Sequence, residues 1–248
     1  MAGHVEVRVY AELNDFLPRE SRGLTLRRPV RPHQTVKDVL EATGIPHTEV
    51  DLIVVNGQAQ GFTHRPAPGD RIAAYPMFEA LDIGSTARLR PVPLRDTRFV
   101  VDVNLGRLAQ LLRLVGFDAW WTSNADDETL VDISLAQRRI LLTRDRGLLK
   151  RRIVTHGVFV HSDDPQAQTL EVIRRLDLGE RLAPLTRCMR CNGELVAVRK
   201  EEVIDRLEPM TRRYYSVFVR CADCDRIYWP GSHHAKLLRL VEQVRQQL

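Results

Sequence analysis

The feature that most restricts the fold of this chain is an alternation of short apolar runs with helical segments between residues 99 and 177. The apolar runs read FVVDV, DAWWTS, RILLT and GVFVH, and the segments that follow them carry apolar residues at helical spacing. Strands that alternate with helices are typical of a parallel, doubly wound sheet. We therefore predict an α/β core over residues 99–182.

Acidic residues stand at or just after the carboxyl end of each predicted strand. They are Asp102, Asp126, Asp127, Asp145, Asp163 and Asp164. In a parallel sheet these ends meet at one edge, where α/β proteins usually bind their ligands. Carboxylates that lie close together raise one another's pKa, and a cation stabilises such a cluster. Oxygen ligands without Cys or His favour magnesium or manganese, so the pattern indicates metal-dependent phosphodiester hydrolysis.

Helix capping is the alternative interpretation of most of these acidic residues. It accounts equally well for Asp126 and Asp127, it is also open for Asp145, and we favour it for Asp163 and Asp164. Asp102 differs, because a carboxylate inside the run FVVDV has little reason to be buried unless it binds something.

The whole chain carries a net charge of +5, and the excess of positive charge lies in its last two thirds. Basic and acidic residues number 9 and 11 over residues 1–85, 16 and 13 over 86–182, and 12 and 8 over 183–248. This balance favours a polyanionic partner such as RNA. A basic cluster surrounds Asp145 and is suited either to phosphate binding or to a solvated helix face: Arg144, Arg146, Lys150, Arg151 and Arg152.

The N-terminal third has a different pattern, strand, strand, helix, strand, strand, over residues 1–85. Thr35 is suited to cap the helix and Gly44 to end it, and Asn56-Gly57 is suited to a turn between strands. This order of elements is that of a β-grasp, ubiquitin-like α+β domain. The proline- and arginine-containing segment 86–98 is predicted to be a linker.

All four cysteines lie in two CxxC pairs, Cys188 with Cys191 and Cys221 with Cys224. This spacing is typical of the two knuckles of a tetrahedral zinc site. Disulfides are the alternative, but we expect a cytoplasmic protein, in which they are rare. Four thiolates leave no open position on zinc, so we predict a structural zinc ribbon within residues 183–248.

The expected location rests on the absence of two signals. The N-terminus MAGHVEVRVYAEL lacks the blocks of a signal peptide, and no apolar run approaches the roughly 20 residues that span a bilayer. We therefore expect a cytoplasmic protein.

Three segments together resemble the Mut-seven-C ribonuclease family, a branch of the PIN-like nucleases. They are DVNLGRLAQLLRLVGFDAWW, DDETLVDISLAQRRILLTRDRGLLKR, and the paired cysteines with YWPGSHHAKL. The resemblance implies RNA cleavage by a magnesium or manganese ion that Asp102, Asp127 and Asp145 hold, with Asp126 as an alternative or additional member. It also implies that Asn104, Arg107 and Arg144 support these acids or contact phosphate.

The N-terminal segment resembles the domain often fused in front of that ribonuclease. Its motifs VNG and GDRIAAYP are also similar to those of sulfur-carrier proteins, which end in a free Gly-Gly. Because the matching region here continues into another domain, we expect a binding or packing module rather than a sulfur carrier.

We predict a metal-dependent ribonuclease in which clustered aspartates hold the ion that activates the attacking water. The alternative is an RNA-binding or adaptor protein with an inactive PIN-like site. RNA is the expected partner in both cases. The ubiquitin-like module is expected to bind another protein or to dock within the chain, and a homodimer is considered without an identified interface.

Overall fold

The computed structural model of the protein describes residues 3–76, 97–231 and 242. By their contacts the described residues fall into two units. The first takes in the described residues between Met1 and Arg95 and between Thr143 and Phe159, and the second takes in those between Asp96 and Leu142 and between Val160 and Leu248. Most of the predicted linker lies outside the described residues, and the predicted domain boundaries remain predictions. None of the described helices has the length and apolar character needed to cross a membrane.

The N-terminal residues form a five-stranded mixed sheet with one α-helix. Its elements are β1 (Gly3–Val9), β2 (Leu26–Val30), α1 (Val36–Ala42), β3 (Leu52–Val55), β4 (Gln58–Gln60) and β5 (Arg71–Tyr75). The strand order is β2-β1-β5-β3-β4, in which β1 and β5 pair in parallel and the other pairs are antiparallel. This arrangement is the predicted β-grasp fold, with one more strand than the predicted four.

Local sequence signals explain the ends of these elements. The Thr35 side chain accepts a hydrogen bond from the Asp38 amide while Asp38 reaches back to the Thr35 amide, which is a capping box. Gly44 follows the helix with a φ of +106°, as predicted for its C-terminal stop. Asn56 and Gly57 both have positive φ between β3 and β4, which confirms the predicted turn.

The central part of the chain alternates strands and helices as predicted. Its elements are β6 (Arg98–Val101), α2 (Gly106–Leu114), β7 (Asp118–Trp120), α3 (Asp127–Ala136), β8 (Ile140–Thr143), α4 (Arg146–Lys150), β9 (Gly157–Phe159) and α5 (Pro165–Arg175). Strands β7, β6, β8 and β9 form one sheet in that order, and β6 pairs in parallel with both β7 and β8. The non-consecutive order confirms a doubly wound parallel sheet.

Burial explains why β6 and β8 lie in the middle of this sheet. Phe99, Val100 and Val101 are fully buried, as are Leu141 and Leu142. Strands that are covered on both faces need continuous apolar runs of this kind.

Three elements are shorter than the sequence pattern indicates. β6 ends at Val101, so Asp102 lies just after the strand, where the backbone enters a 3-10 turn over Val103–Leu105. β7 stops at Trp120. α4 ends at Lys150 because Arg151, with a ψ of 125°, has a non-helical backbone, so Arg151 and Arg152 follow the helix.

The ribbon consists of a three-stranded antiparallel sheet and two short helices. Its elements are β10 (Leu195–Val198), α6 (Lys200–Val203), α7 (Pro209–Tyr214), β11 (Phe218–Cys221) and β12 (Ile227–Tyr228), with strand order β10-β11-β12. Val203, Leu207 and Phe218 form its small buried core. So small a core stabilises a fold poorly by itself, and small domains of this kind usually need a further source of stability, which the cysteines can provide.

Candidate metal centre and strand-end acidic residues

The four cysteines converge on one point of the ribbon. The sulfur atoms of Cys188, Cys191, Cys221 and Cys224 all lie within 4.8 Å of one another. The closest pairs are Cys191 with Cys221 at 3.4 Å and Cys188 with Cys224 at 3.6 Å. These distances are too long for a disulfide, which needs about 2.05 Å. They suit four sulfur atoms around a shared tetrahedral ion, so the cluster can bind zinc.

Two turns of the same design present these cysteines. The Cys188 amide donates to the Gly193 carbonyl at 2.8 Å, and the Cys221 amide donates to the Arg226 carbonyl at 2.9 Å. The residue after the second cysteine of each pair, Asn192 or Asp225, has positive φ. Asn and Asp tolerate this conformation better than most residues, so the sequence favours both turns locally.

Hydrogen bonding prepares one of the thiols for metal binding. Burial raises the pKa of the Cys188 thiol, but hydrogen bonds from the Tyr228 hydroxyl and from the Cys191 and Arg190 amides outweigh it and lower the pKa to about 6. The Tyr228 oxygen lies 3.0 Å from the Cys188 sulfur. The thiolate form, which binds metal, is thereby favoured at this position.

A polar network in the second unit joins the first cysteine turn to β7. The Asn192 side chain accepts from the Ala119 amide at 3.0 Å and donates to Asp118 at 2.6 Å. Arg139 donates two hydrogen bonds to the same carboxylate, at 2.6 and 3.1 Å. Burial raises the pKa of Asp118, but the bonds from Arg139 and Asn192 outweigh it and the net pKa is lowered.

Arg113 completes the connection from α2. This buried side chain donates to the Ala119 carbonyl at 2.8 Å and to the carbonyls of Met189 and Arg190 at 3.2 and 3.0 Å. Sequence reasoning did not identify this network. The available signal was an arginine on the apolar face of LGRLAQLLRLVG, since buried arginine requires partners.

Asp102 occupies the position that the sequence predicts, at the carboxyl end of a central strand. Its residue is buried, with 9% of its surface exposed, and its amide donates to the Leu142 carbonyl of β8 at 3.0 Å. The Leu105 amide donates to the Asp102 carbonyl at 2.9 Å. Asp102 therefore has a fixed backbone and a carboxylate in a protected position.

Four of the other candidate acidic residues, Asp126, Asp127, Asp145 and Asp164, lie at the starts of helices. Asp126 caps α3 by accepting a hydrogen bond from the Thr129 amide at 2.8 Å, and Asp127 is the exposed first residue of that helix. Asp145 caps α4 through its Oδ1, which accepts from the Gly147 and Leu148 amides at 2.6 and 3.3 Å. Asp164 caps α5 by accepting from the Ala167 amide at 2.8 Å.

Within residues 3–76, 97–231 and 242, the four cysteines form the one group of three or more Cys, His, Asp or Glu residues whose potential ligand atoms lie close enough together to hold a metal ion. The candidate aspartates belong to no such group there. The capping hydrogen bonds of Asp126, Asp145 and Asp164, by contrast, are seen directly.

The basic residues around Asp145 have different surroundings. Arg144, Arg151 and Arg152 are exposed. Lys150 donates to the Glu41 carbonyl at 2.8 Å, and Arg146 donates to the Phe16 carbonyl at 3.3 Å. Two of the five cations are thus bound by the β-grasp residues of the first unit.

Two further candidates lie near Asp102 in the sequence. Asn104 is exposed in the 3-10 turn, and Arg107 is exposed on α2 and donates to Gln110 at 3.1 Å. Both are accessible to a substrate.

Comparison with known families finds two matches. Residues 97–241 match the Mut7-C RNAse domain, and residues 2–82 match the Mut7-C ubiquitin domain. The first match includes the strand-end acidic residues and the four cysteines.

Two solved structures of small archaeal modifier protein 1 from Haloferax volcanii are similar to the N-terminal part. One is 26% identical, covers 30% of this chain and 97% of its own, and has a TM-score of 0.25. The other is 26% identical, covers 32% of this chain and 99% of its own, and has a TM-score of 0.26. The search of curated proteins gave no match.

Proposed function

We propose that this chain, which belongs to the Mut7-C RNAse domain family, hydrolyses RNA phosphodiester bonds with the help of a magnesium or manganese ion. The observation that carries the proposal is the family match over residues 97–241, in which Asp102 lies buried at the end of a central parallel strand. We assign Asp102, Asp127 and Asp145 as metal ligands, with Asp126 as an alternative or additional ligand.

The chemistry of these donors fits the proposed ion. Carboxylate oxygens are the ligands that magnesium and manganese prefer. When bound, such an ion activates water and neutralises charge on the phosphate.

Each acidic residue brings a different property to this role. Asp102 is buried, so its carboxylate is held in a protected position. Asp145 uses only Oδ1 for capping α4, and among the described residues Oδ2 accepts no hydrogen bond, so one oxygen remains for a ligand. Asp127 begins α3 and is exposed, so its carboxylate is accessible.

Exposed polar residues are proposed to position the RNA. Arg144, Arg151 and Arg152 surround Asp145 in the sequence and are suited to phosphate contacts, and Asn104 and Arg107 follow Asp102. We give Arg146 and Lys150 a smaller part in RNA binding, because their charged groups already contact backbone carbonyls.

The four cysteines are proposed to hold a zinc ion that stabilises the ribbon. A closed four-thiolate site has no position for substrate, so its role is structural. The exposed part of the ribbon remains available for RNA.

Asp102→Asn and Asp145→Asn test the ribonuclease. With purified protein, single-stranded RNA and manganese, each change should lower the cleavage rate by about 100-fold or more. Loss of a residue that only hydrogen-bonds to a metal ligand typically costs about 10–100-fold in activity, and loss of the ligand itself should cost more. Asp132→Asn on the exposed face of α3 is the matched control and should cleave normally. Cleavage that persists unchanged in both test variants would show that the activity is not this protein's.

An RNA-binding or adaptor role is the second candidate. It is favoured by the capping roles of Asp126 and Asp145, which explain both residues without a metal. In that case the protein should bind RNA with the same affinity in both variants and should not cleave it under any metal condition. Electrophoretic mobility shift with and without manganese measures this directly.

A further inference from the structure

The segment that carries Asp145 belongs to the same unit as the β-grasp module. Residues Thr143–Phe159 group with Met1–Arg95 and not with the residues on either side of them. This segment contains the end of β8, α4 and β9. It is therefore the part of the parallel sheet region whose contacts are made mainly with the ubiquitin-like module.

Polar contacts hold α4 at both of its ends. At the start, the Arg146 guanidinium lies 5.2 Å from the ring centres of both Phe16 and Phe159 and donates to the Phe16 carbonyl. At the end, Lys150 donates to the Glu41 carbonyl. Through its cation–π contacts with two rings and its hydrogen bond to a backbone carbonyl, Arg146 fixes the first turn of the helix, next to Asp145.

Buried polar groups hold the rest of the segment. The Glu49 carboxylate, in a residue only 4% exposed, accepts a hydrogen bond from the Phe159 amide at 2.5 Å. His47 contacts the Val154 carbonyl through Nε2 at 2.9 Å and the Glu41 carboxylate through Nδ1 at 2.7 Å. Buried bonds of this kind are costly to break, because the groups left behind lose their partners.

We propose that the β-grasp module acts within the chain as a positioning partner for residues 143–159, with Glu49, His47 and Phe16 as the positioning residues that fix the place of Asp145. The proposed docking does not depend on activity. The consequence for Asp145 rests on the proposed ribonuclease function, in which Asp145 is a metal ligand. The module is then a structural part of the nuclease and not a separately acting carrier.

Glu49→Ala tests the docking in the full-length protein, with Glu6→Ala as the matched control. Glu6 is an exposed carboxylate of the same module whose partner is Arg71. Glu49→Ala should speed amide hydrogen exchange at residues 144–159 by about tenfold, the expected effect of losing one buried hydrogen bond. Glu6→Ala should leave it unchanged. Equal exchange of the segment in the two variants would overturn the docking.

Glu49→Gln and manganese binding test the positioning. The Gln side chain still accepts from the Phe159 amide, so Glu49→Gln should restore slow exchange. Manganese affinity, measured by electron paramagnetic resonance, should fall several-fold in Glu49→Ala and recover in Glu49→Gln. Faster exchange with unchanged manganese affinity would overturn the positioning of Asp145. A wild-type protein that binds no manganese and cleaves no RNA would overturn the proposed function, while the exchange data still decide the docking.

Arg146→Ala tests the docking through a different contact, that of Arg146 with Phe16 and Phe159, and Arg71→Ala is its control. This pair is used if Glu49→Ala also speeds exchange in β1 and β3, which would indicate damage to the module itself. Arg146→Ala should speed exchange in residues 144–159 and leave β1 and β3 unchanged. No change in the segment would count against the proposal.

Discussion

At the scale of single residues, helix capping and metal binding favour the same side chain at the same place. Asp126, Asp145 and Asp164 each accept hydrogen bonds from first-turn amides of the helix that follows a strand. The sequence predicts these caps because an acid directly before a helical run is a strong local signal. It cannot tell which acid also binds an ion, since that depends on distances between residues far apart in the chain.

Gly116 provides a prediction at this scale. Its φ is +104°, and a Cβ atom there would lie 2.2 Å from the Ala183 carbonyl oxygen. Gly116→Ala should therefore lower the free energy of unfolding by about 3 kcal/mol, from backbone strain and from the clash. Gly57→Ala is the control, because its φ is +84° but nothing lies within 4 Å. It should cost about 1 kcal/mol, from strain alone. Urea denaturation measures both, and equal losses would contradict the clash.

At the scale of elements, the type and order of the strands and helices were predictable, and their ends were less so. The apolar runs around Phe99 and Leu141 identify β6 and β8, and Thr35 and Gly44 mark the ends of α1. The pattern overestimates α4, because the helical run continues in sequence while the backbone turns at Arg151. The bonds between β7 and the cysteine turn were also missed, since no periodicity reports contacts between elements so distant in sequence.

Asp118→Asn tests the ionic part of that connection. The pKa of Asp118 is lowered in the folded protein, so its charge stabilises the fold above the unfolded pKa of about 3.9, and this contribution is lost as pH falls through the lower folded pKa. Asp118→Asn should be less stable at pH ~7 and should lose less stability than wild type between pH ~5 and pH ~2.

The control for this change is Asp132→Asn, which alters an exposed carboxylate on α3. Urea midpoints measured across the acid range compare the three proteins. Parallel pH profiles for wild type and Asp118→Asn would show that the Arg139 pair contributes no pH-dependent stability.

At the scale of the whole molecule, each unit combines parts that are far apart in sequence. The second unit includes both the β6–β8 region and the ribbon, and Arg113 and Asn192 connect them. Loss of the proposed zinc should therefore also destabilise the part of the parallel sheet to which the ribbon is bonded. The sequence predicted the separate modules but not these connections, because each depends on a few buried polar side chains.

Cys221→Ser tests the zinc and its reach. Native mass spectrometry should find one zinc ion in the wild-type protein and none in Cys221→Ser. In the variant, the amide hydrogen of Ala119 should also exchange faster with solvent, because that amide donates to Asn192 of the first cysteine turn. Ser216→Ala on the exposed ribbon surface is the control and should keep its zinc. Full zinc occupancy in Cys221→Ser would contradict the four-thiolate site.

The grouping of residues 143–159 with the β-grasp module has a practical consequence for dissecting the protein. A cut near the predicted linker would separate Phe159 and Val154 from Glu49 and His47, and would leave the Phe159 amide without its acceptor. A fragment that begins at residue 97 should then be prone to aggregation and weakly active even if every proposed catalytic side chain is present. Inactivity of such a fragment would say little about the chemistry of the intact enzyme.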